Sequence, residues 1–295
     1  MTDLAANPTS ARTATFDTVV LESVVETPDT RTLMLDAGSQ PLNWRAGQYL
    51  SIDPHQFLGL QSFIWYLEQE KGRREVPRAY SMSSAPHEPY LAVTVKEEVF
   101  EAGKTKYPPL ISGFLVHQIR AGDRMTVIGF AGGYLLPHDV ETRTDHVLHL
   151  CAGSGSVPNV SMIKDSLRRH PRLRHTMIYS NKTWQDVIFR DALTRLEQEH
   201  PARLQVIHSL TRETGALPSD ANVRRGRVDV SLLRDVLDRE SRSIIYACGP
   251  AVTVWERRAC AAKGVTPNPQ FLEAMVSMLG ELNVPKERIK LEAYG

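Results

Sequence analysis

His146-Val147-Leu148-His149-Leu150-Cys151 is an apolar run that passes directly into Ala152-Gly153-Ser154-Gly155-Ser156-Val157-Pro158. A short apolar run closed by glycines, then a helix-like pattern over 158–169, reads as a buried strand, a tight turn and a helix. Pro158 suits a first helical turn, where its missing N–H costs nothing. The alternation continues downstream. Strand-like 175–179, helix-like 186–199, strand-like 204–210 and helix-like 231–238 follow in turn. Strand-like 243–248, helix-like 251–263 and a closing strand over 289–294 complete the chain. Such alternation predicts a parallel sheet covered by helices on both faces.

Upstream the texture changes. Thr18-Val19-Val20-Leu21-Glu22-Ser23-Val24-Val25, Thr30-Arg31-Thr32-Leu33-Met34-Leu35 and Leu91-Ala92-Val93-Thr94-Val95-Lys96 alternate apolar and polar residues between turns rich in Pro and Gly. Period-two patterning predicts antiparallel strands in a barrel or sandwich. One helix is expected within it over 112–120, with Ser112 as its N-cap and Gly122 just past its end. The segment 57–74 fits neither pattern and reads as an insertion. Two domains, 15–140 and 141–295, are therefore expected after a flexible tail over 1–14, with the boundary in the polar stretch 137–145.

Composition narrows the function. The chain has 295 residues, 35 Lys and Arg against 34 Asp and Glu, and a net charge of +1, so no basic field directs it to nucleic acid. No apolar run reaches the roughly 20 residues of a membrane span, and residues 1–14 hold no secretory core. Three cysteines, Cys151, Cys248 and Cys260, are too few and too scattered for a disulfide scaffold, a zinc site or a four-thiolate iron–sulfur cluster, so a cytoplasmic protein without metal is expected.

Chemistry could gather at three places. The glycine turn 153–155 lets backbone approach a pyrophosphate at a helix N-terminus, although a plain strand-to-helix turn has the same look. It lacks the third glycine of the dinucleotide fingerprint, and Ser180-Asn181-Lys182 stand where an acidic ribose ligand would be. Cys248-Gly249-Pro250 ends another strand; Cys248 could be a nucleophile or a small buried residue. Arg78-Ala79-Tyr80-Ser81 offers a guanidinium fork, a flat ring and a hydroxyl, or else an ordinary strand.

Taken in order, Arg78-Ala79-Tyr80-Ser81, the Ser112 helix, Gly153-Ser154-Gly155 with Pro158, and Cys248-Gly249-Pro250 resemble the ferredoxin–NADP reductase superfamily over 15–295. Residues 181–190 and the ending Glu292-Ala293-Tyr294-Gly295 are similar to its reductase components that feed oxygenases and hydroxylases. The resemblance implies an antiparallel FAD-binding β-barrel, then an α/β parallel-sheet domain for NADH or NADPH. It places Arg78 on the FAD pyrophosphate, Tyr80 against the flavin, Ser81 near flavin N5, Ser112 at its helix start as the cap of the FAD diphosphate, and Ala79, Val95 and Lys96 elsewhere on the cofactor. Here Tyr107-Pro108-Pro109-Leu110-Ile111 replaces the family's glycine-rich approach to Ser112.

Gly153, Ser154, Gly155 and Pro158 would hold the coenzyme pyrophosphate. Ser180, Lys182, Thr211 and Arg212 would lie at its ribose end, and Cys248, Gly249 and Pro250 beside the nicotinamide. Ser81, Cys248 and Tyr294 would flank the reacting rings, with Tyr294 moving aside for turnover or, on the plainer reading, merely ending an edge strand. The implied function is reduction of FAD by NADH or NADPH, with single electrons passed to a separate ferredoxin or iron–sulfur oxygenase component. The basic run Arg224-Arg225-Gly226-Arg227 could meet that partner, meet the coenzyme, or form a solvated loop. A non-catalytic flavin-binding regulatory subunit and a flavin-free dehydrogenase stay open as alternatives.

Overall fold

The computed structural model describes residues 14–40, 42–101 and 105–294; residues 1–13 of the expected tail, and Gly295, lie outside them. The first lobe contains β1 (Thr15–Thr27), β2 (Thr30–Asp36), β3 (Tyr49–Ile52), α1 (Gln61–Lys71), β4 (Arg78–Ser81), β5 (Leu91–Lys96), α2 (Ser112–His117) and β6 (Arg124–Ala131). Its six strands pair antiparallel in the order β4-β3-β6-β1-β2-β5, and a bridge from Met82 to Val93 joins the two ends into a barrel. Alternation explains the closure. Phe16 and Val20, Leu33 and Leu35, Leu50 and Ile52, Val93 and Val95, Met125 and Val127 all point into one buried core.

The second lobe contains α3 (Val140–Arg143), β7 (His146–Ala152), α4 (Ser156–Arg169), β8 (Arg174–Asn181), α5 (Arg190–Glu199), β9 (Leu204–Leu210), β10 (Val223–Arg225), α6 (Val230–Arg239), β11 (Ile244–Pro250), α7 (Val254–Ala262), α8 (Phe271–Glu281) and β12 (Ile289–Tyr294). Its strands are all parallel, in the order β10-β9-β8-β7-β11-β12. From β7 the chain winds outward through β8, β9 and β10, then returns to the other side of β7 as β11 and β12. The reversal between β7 and β11 opens a crevice at their C-terminal ends, where ligands of open α/β sheets bind.

Several expectations are corrected. Segment 57–74 is part of the barrel: α1 sends Ile64 and Leu67 into its core, and a left-handed Gly72 ends the helix. α2 stops at His117, because the Arg120 guanidinium takes the free carbonyls of His117 and Ile119. Its N-cap is Ile111; the Ser112 hydroxyl accepts instead from the Glu98 N–H at 3.1 Å. α5 begins at Arg190 rather than near Asp186, since Asp186 closes a capping box with Thr183 and Phe189 turns left-handed. α8 and β10 were not anticipated. Of the three readings of the basic run, a solvated loop does not hold for Arg224 and Arg225: they lie in β10, with Arg224 paired to Asp229 and Arg225 bonded to the carbonyls of Glu213 and Gly215.

A shared core joins the lobes. Tyr134, just after β6, packs edge-on against Tyr246 of β11, with ring centroids 5.1 Å apart, among Ala46, Val147 and Met162. Lys164 of α4 reaches the Glu88 carboxylate of the barrel at 2.7 and 2.8 Å. If α1 is integral to the barrel, Leu67→Ala should destabilise the protein by about 2–5 kcal/mol. The urea midpoint measures this, and an unchanged midpoint would return the segment to the status of a surface insertion.

Candidate functional site

The crevice where the lobes meet has a volume of about 460 Å³. From the barrel come Tyr49, Ala79, Tyr80, Ser81, Thr94, Lys96, Glu97 and Glu98; from the parallel sheet come Ser154, Pro250, Glu292, Ala293 and Tyr294. A second cleft of about 330 Å³ shares Lys96, Ser154 and Pro250 and continues over Gly153, Ser180, Lys182, Asp186 and Thr211. The two form one path across the switch point of the sheet.

Local structure fixes each group. On β12 a two-residue repeat turns Glu292 and Tyr294 to one face, and parallel pairing sets Glu292 beside Cys248. The Ser81 hydroxyl donates to Glu292 Oε1 at 3.2 Å, linking the lobes at the centre of the crevice. Burial pushes the Glu292 carboxyl upward, against the opposing pull of that bond. Burial likewise raises Glu98, with Arg78 opposing. The Tyr80 phenol is raised by burial and then by Glu98. Tyr294 packs on the shared core of the lobes, and among the described residues its buried hydroxyl makes no full hydrogen bond, only a weak approach to Ser81.

Not every expected residue reaches the crevice. Val95 points into the barrel core, and its neighbour Thr94 takes the lining position, because adjacent strand residues face opposite ways. Ser112 is buried one step behind, holding the Glu98 backbone. Arg78 is turned to the buried Glu75 carboxylate and the Val76 carbonyl. Glu97 lies against the first turn of α2, beside Gly113, and bonds His117 at 2.8 Å. Arg78 thus already faces a carboxylate, and so does the helix start that carries Ser112. Cys248 is fully buried and burial raises its thiol, so it is not a poised nucleophile. Arg212 follows β9, its N–H bonded to the Lys182 carbonyl at 2.8 Å, and it is absent from the cleft lining where Lys182 and Thr211 stand. Sequence reasoning missed Tyr49, Thr94, Glu97, Glu98, Glu292 and Ala293 as lining residues; two-residue spacing from Tyr294 was the available signal for Glu292.

The glycine turn divides into two roles. Gly153 has φ +52° and open space where a side chain would stand, so its backbone is free to be approached. A Cβ on Gly155 would lie 2.1 Å from the Cys248 carbonyl oxygen, so this glycine is needed for packing α4 onto β11. Behind the turn, Asn159 donates from Nδ2 to the Gly155 carbonyl at 2.9 Å, and its Oδ1 bonds His149 Nδ1 at 2.8 Å. His149 Nε2 in turn meets His175 Nδ1 at 3.1 Å. Burial lowers His149 to about 4 and holds His175 well below its usual value.

Residues 150–254 match the family model of the oxidoreductase NAD-binding domain. The ferredoxin reductase component of 3-ketosteroid-9-alpha-monooxygenase from Mycolicibacterium smegmatis is 31% identical over 234 residues, 78% of this chain and 57% of that relative. Residues 150–254 thus carry an oxidoreductase NAD-binding domain, and the chain as a whole is similar to ferredoxin reductase components of oxygenase systems. Flavohemoprotein A from Dictyostelium discoideum is 26% identical over 230 residues, 78% of this chain and 49% of that relative. The chain spans about half to two thirds of the length of the curated relatives it matches.

For the fold, the chain superposes on the FAD/NAD-binding domain of nitric oxide dioxygenase from Vibrio cholerae with a TM-score of 0.68 at 20% identity, covering 95% of this chain and 98% of that one. The ferredoxin reductase of carbazole 1,9a-dioxygenase gives 0.68 at 19% identity, covering 97% and 71%.

Gly155→Ala should force α4 away from β11, lowering the thermal midpoint and weakening coenzyme binding, whereas Gly153→Ala meets no atom and should cost only about 1 kcal/mol of left-handed strain. Equal effects of the two changes would contradict the separate roles. The histidines predict acid sensitivity. His149 stays neutral when folded but takes up a proton when unfolded below about pH 6.5, so stability falls as pH drops from there toward 4. Each such group contributes up to about 1.4 kcal/mol per pH unit. Urea titrations at pH 7 and 5 read this, and a flat profile would oppose it.

Proposed function

We propose that this chain is an FAD-dependent NAD(P)H oxidoreductase that passes electrons to a separate iron–sulfur protein, a ferredoxin or an oxygenase component. The observation that carries this reading is the junction of Tyr80 and Ser81 with Glu292 and Tyr294 at the switch point of a parallel sheet. The residues present fit a flavin at the ring end. Tyr80 and Tyr294 supply aromatic faces, and among the described residues the buried Tyr294 hydroxyl makes no full hydrogen bond, only a weak approach to Ser81. At the diphosphate end, Glu97 and the Arg78–Glu75 pair would have to yield. The match over residues 150–254 and the open Gly153 backbone support a nicotinamide dinucleotide in the second cleft.

Bound flavin would supply the chemistry that converts a two-electron donor to single-electron delivery. The protein's residues bind, orient and hold protons. Ser81 would present its hydroxyl to the flavin ring, with Glu292 fixing its direction at 3.2 Å. Glu292, raised by burial, would hold a proton on its carboxyl near neutral pH more readily than a surface glutamate. Tyr294 would cover the ring face until coenzyme arrives, and Cys248 would keep the floor small and apolar. Lys182 and Thr211 would meet the coenzyme's ribose end. The acceptor is supported by relatives named as ferredoxin reductase components of a monooxygenase.

Purified protein should be yellow and should bleach on anaerobic addition of NADH or NADPH. Colourless protein under every preparation, or colour that coenzyme leaves unchanged, refutes the reading; the second result would favour a silent flavin-binding subunit. Ser81→Ala should slow flavin reduction and Tyr80→Ala should weaken flavin retention, each by about tenfold. Stopped-flow reduction and equilibrium dialysis read the two effects.

A further inference from the structure

Glu26, near the end of β1, reaches from the barrel to the parallel-sheet lobe. Its Oε2 accepts the Phe189 N–H at 3.0 Å and its Oε1 accepts the Thr32 hydroxyl at 2.7 Å. Phe189 has φ +59°, a left-handed backbone that bulky residues seldom adopt. It also occupies the position before α5, where an N–H has no acceptor inside the helix. Its ring is buried in the sheet core, so the backbone cannot relax by swinging outward. Phe189 closes a segment whose start, Lys182 and Asp186, lines the second cleft.

On the barrel side the Thr32 hydroxyl is paired with that of Thr94 at 2.7 Å, and Thr94 lines the first crevice. Val24 stands opposite Thr32 in the β1–β2 register, and Glu26 is the extra residue of a bulge between Val25 and Thr27, from which its carboxylate reaches Thr32 and so joins the Thr32–Thr94 pair.

We infer that Glu26 is a positioning residue: it latches segment 182–189 of the coenzyme-side cleft to the barrel and so holds the two halves of the site in register. This rests on the proposed function only for what the clefts bind. A carboxylate offers two acceptor oxygens, which suits two donors from different lobes. Glutamine can replace it. Its carbonyl accepts from Phe189 while its amide donates to Thr32, whose proton then turns to Thr94. Alanine replaces neither bond.

In the unaltered protein the Phe189 amide should exchange slowly with solvent; free exchange overturns the inference without any variant. Glu26→Ala should speed that exchange and raise the coenzyme KM by about tenfold, with kcat kept within about twofold. Glu26→Gln should restore both toward the unaltered values. Unchanged exchange and KM in Glu26→Ala would overturn the latch. So would a parallel fall in kcat and flavin retention, which marks general loosening, or a failure of Glu26→Gln to rescue. Unaltered protein that binds no flavin would count against the proposed function instead, and the amide-exchange results would still stand.

Discussion

The edge-on packing of Tyr134 against Tyr246 decides where one lobe stands relative to the other. Tyr134 leaves the barrel after β6, and Tyr246 is the middle of β11, so their contact sets the barrel mouth over the C-terminal ends of the parallel strands. Both phenols are anchored as well. Tyr246 donates to the Leu135 carbonyl at 2.6 Å and Tyr134 to Asn159 Oδ1 at 3.3 Å. Rings of this size bury much apolar surface and satisfy their polar ends, which makes a stiff joint. That joint, together with the Lys164–Glu88 pair, sets Ser81 of one lobe against Glu292 of the other across the crevice.

Within the crevice, shielding from water determines the chemistry. Glu98 and Glu292 are raised by burial in the crevice that Tyr80 and Tyr294 also line. A carboxyl that retains its proton longer can donate as well as accept, which an exposed carboxylate cannot do at neutral pH. At the other end the balance is different. Arg78 is neutralised by Glu75, and the start of α2 faces Glu97, so the attraction for an anion is partly satisfied by the protein itself. An incoming diphosphate would compete with fixed carboxylates rather than enter a vacant basic socket.

The architecture was legible because hydrophobic period is a local signal. The boundaries of β5, β9 and β12 agree with the runs read from residues 91–96, 204–210 and 289–294. α1 was not legible: its two buried residues, Ile64 and Leu67, sit among Trp65, Tyr66 and Phe63, so apolar side chains surround the helix and blur its face. In the site, the segments were legible but side-chain direction was not. Val95 and Thr94 are neighbours in sequence, and only the register against Arg31 and Thr32 tells which enters the barrel. Gly155 has the same ambiguity, since its reason is a carbonyl on β11, nearly a hundred residues away in the chain.

Groups that join the lobes are the hardest to read, because each looks ordinary where it stands in the sequence. Glu26 reads as one more polar residue near the end of a strand, and Phe189 as one more apolar residue before a helix. Their bond spans 163 positions. A left-handed backbone at a bulky residue persists only where surrounding contacts over-determine it. At Phe189 the surroundings come from both lobes: the sheet core grips the ring and the barrel's carboxylate grips the amide. The shape of the coenzyme-side cleft is therefore a property of the two lobes together, which explains how a β1 residue far from the glycine turn can influence what that turn faces.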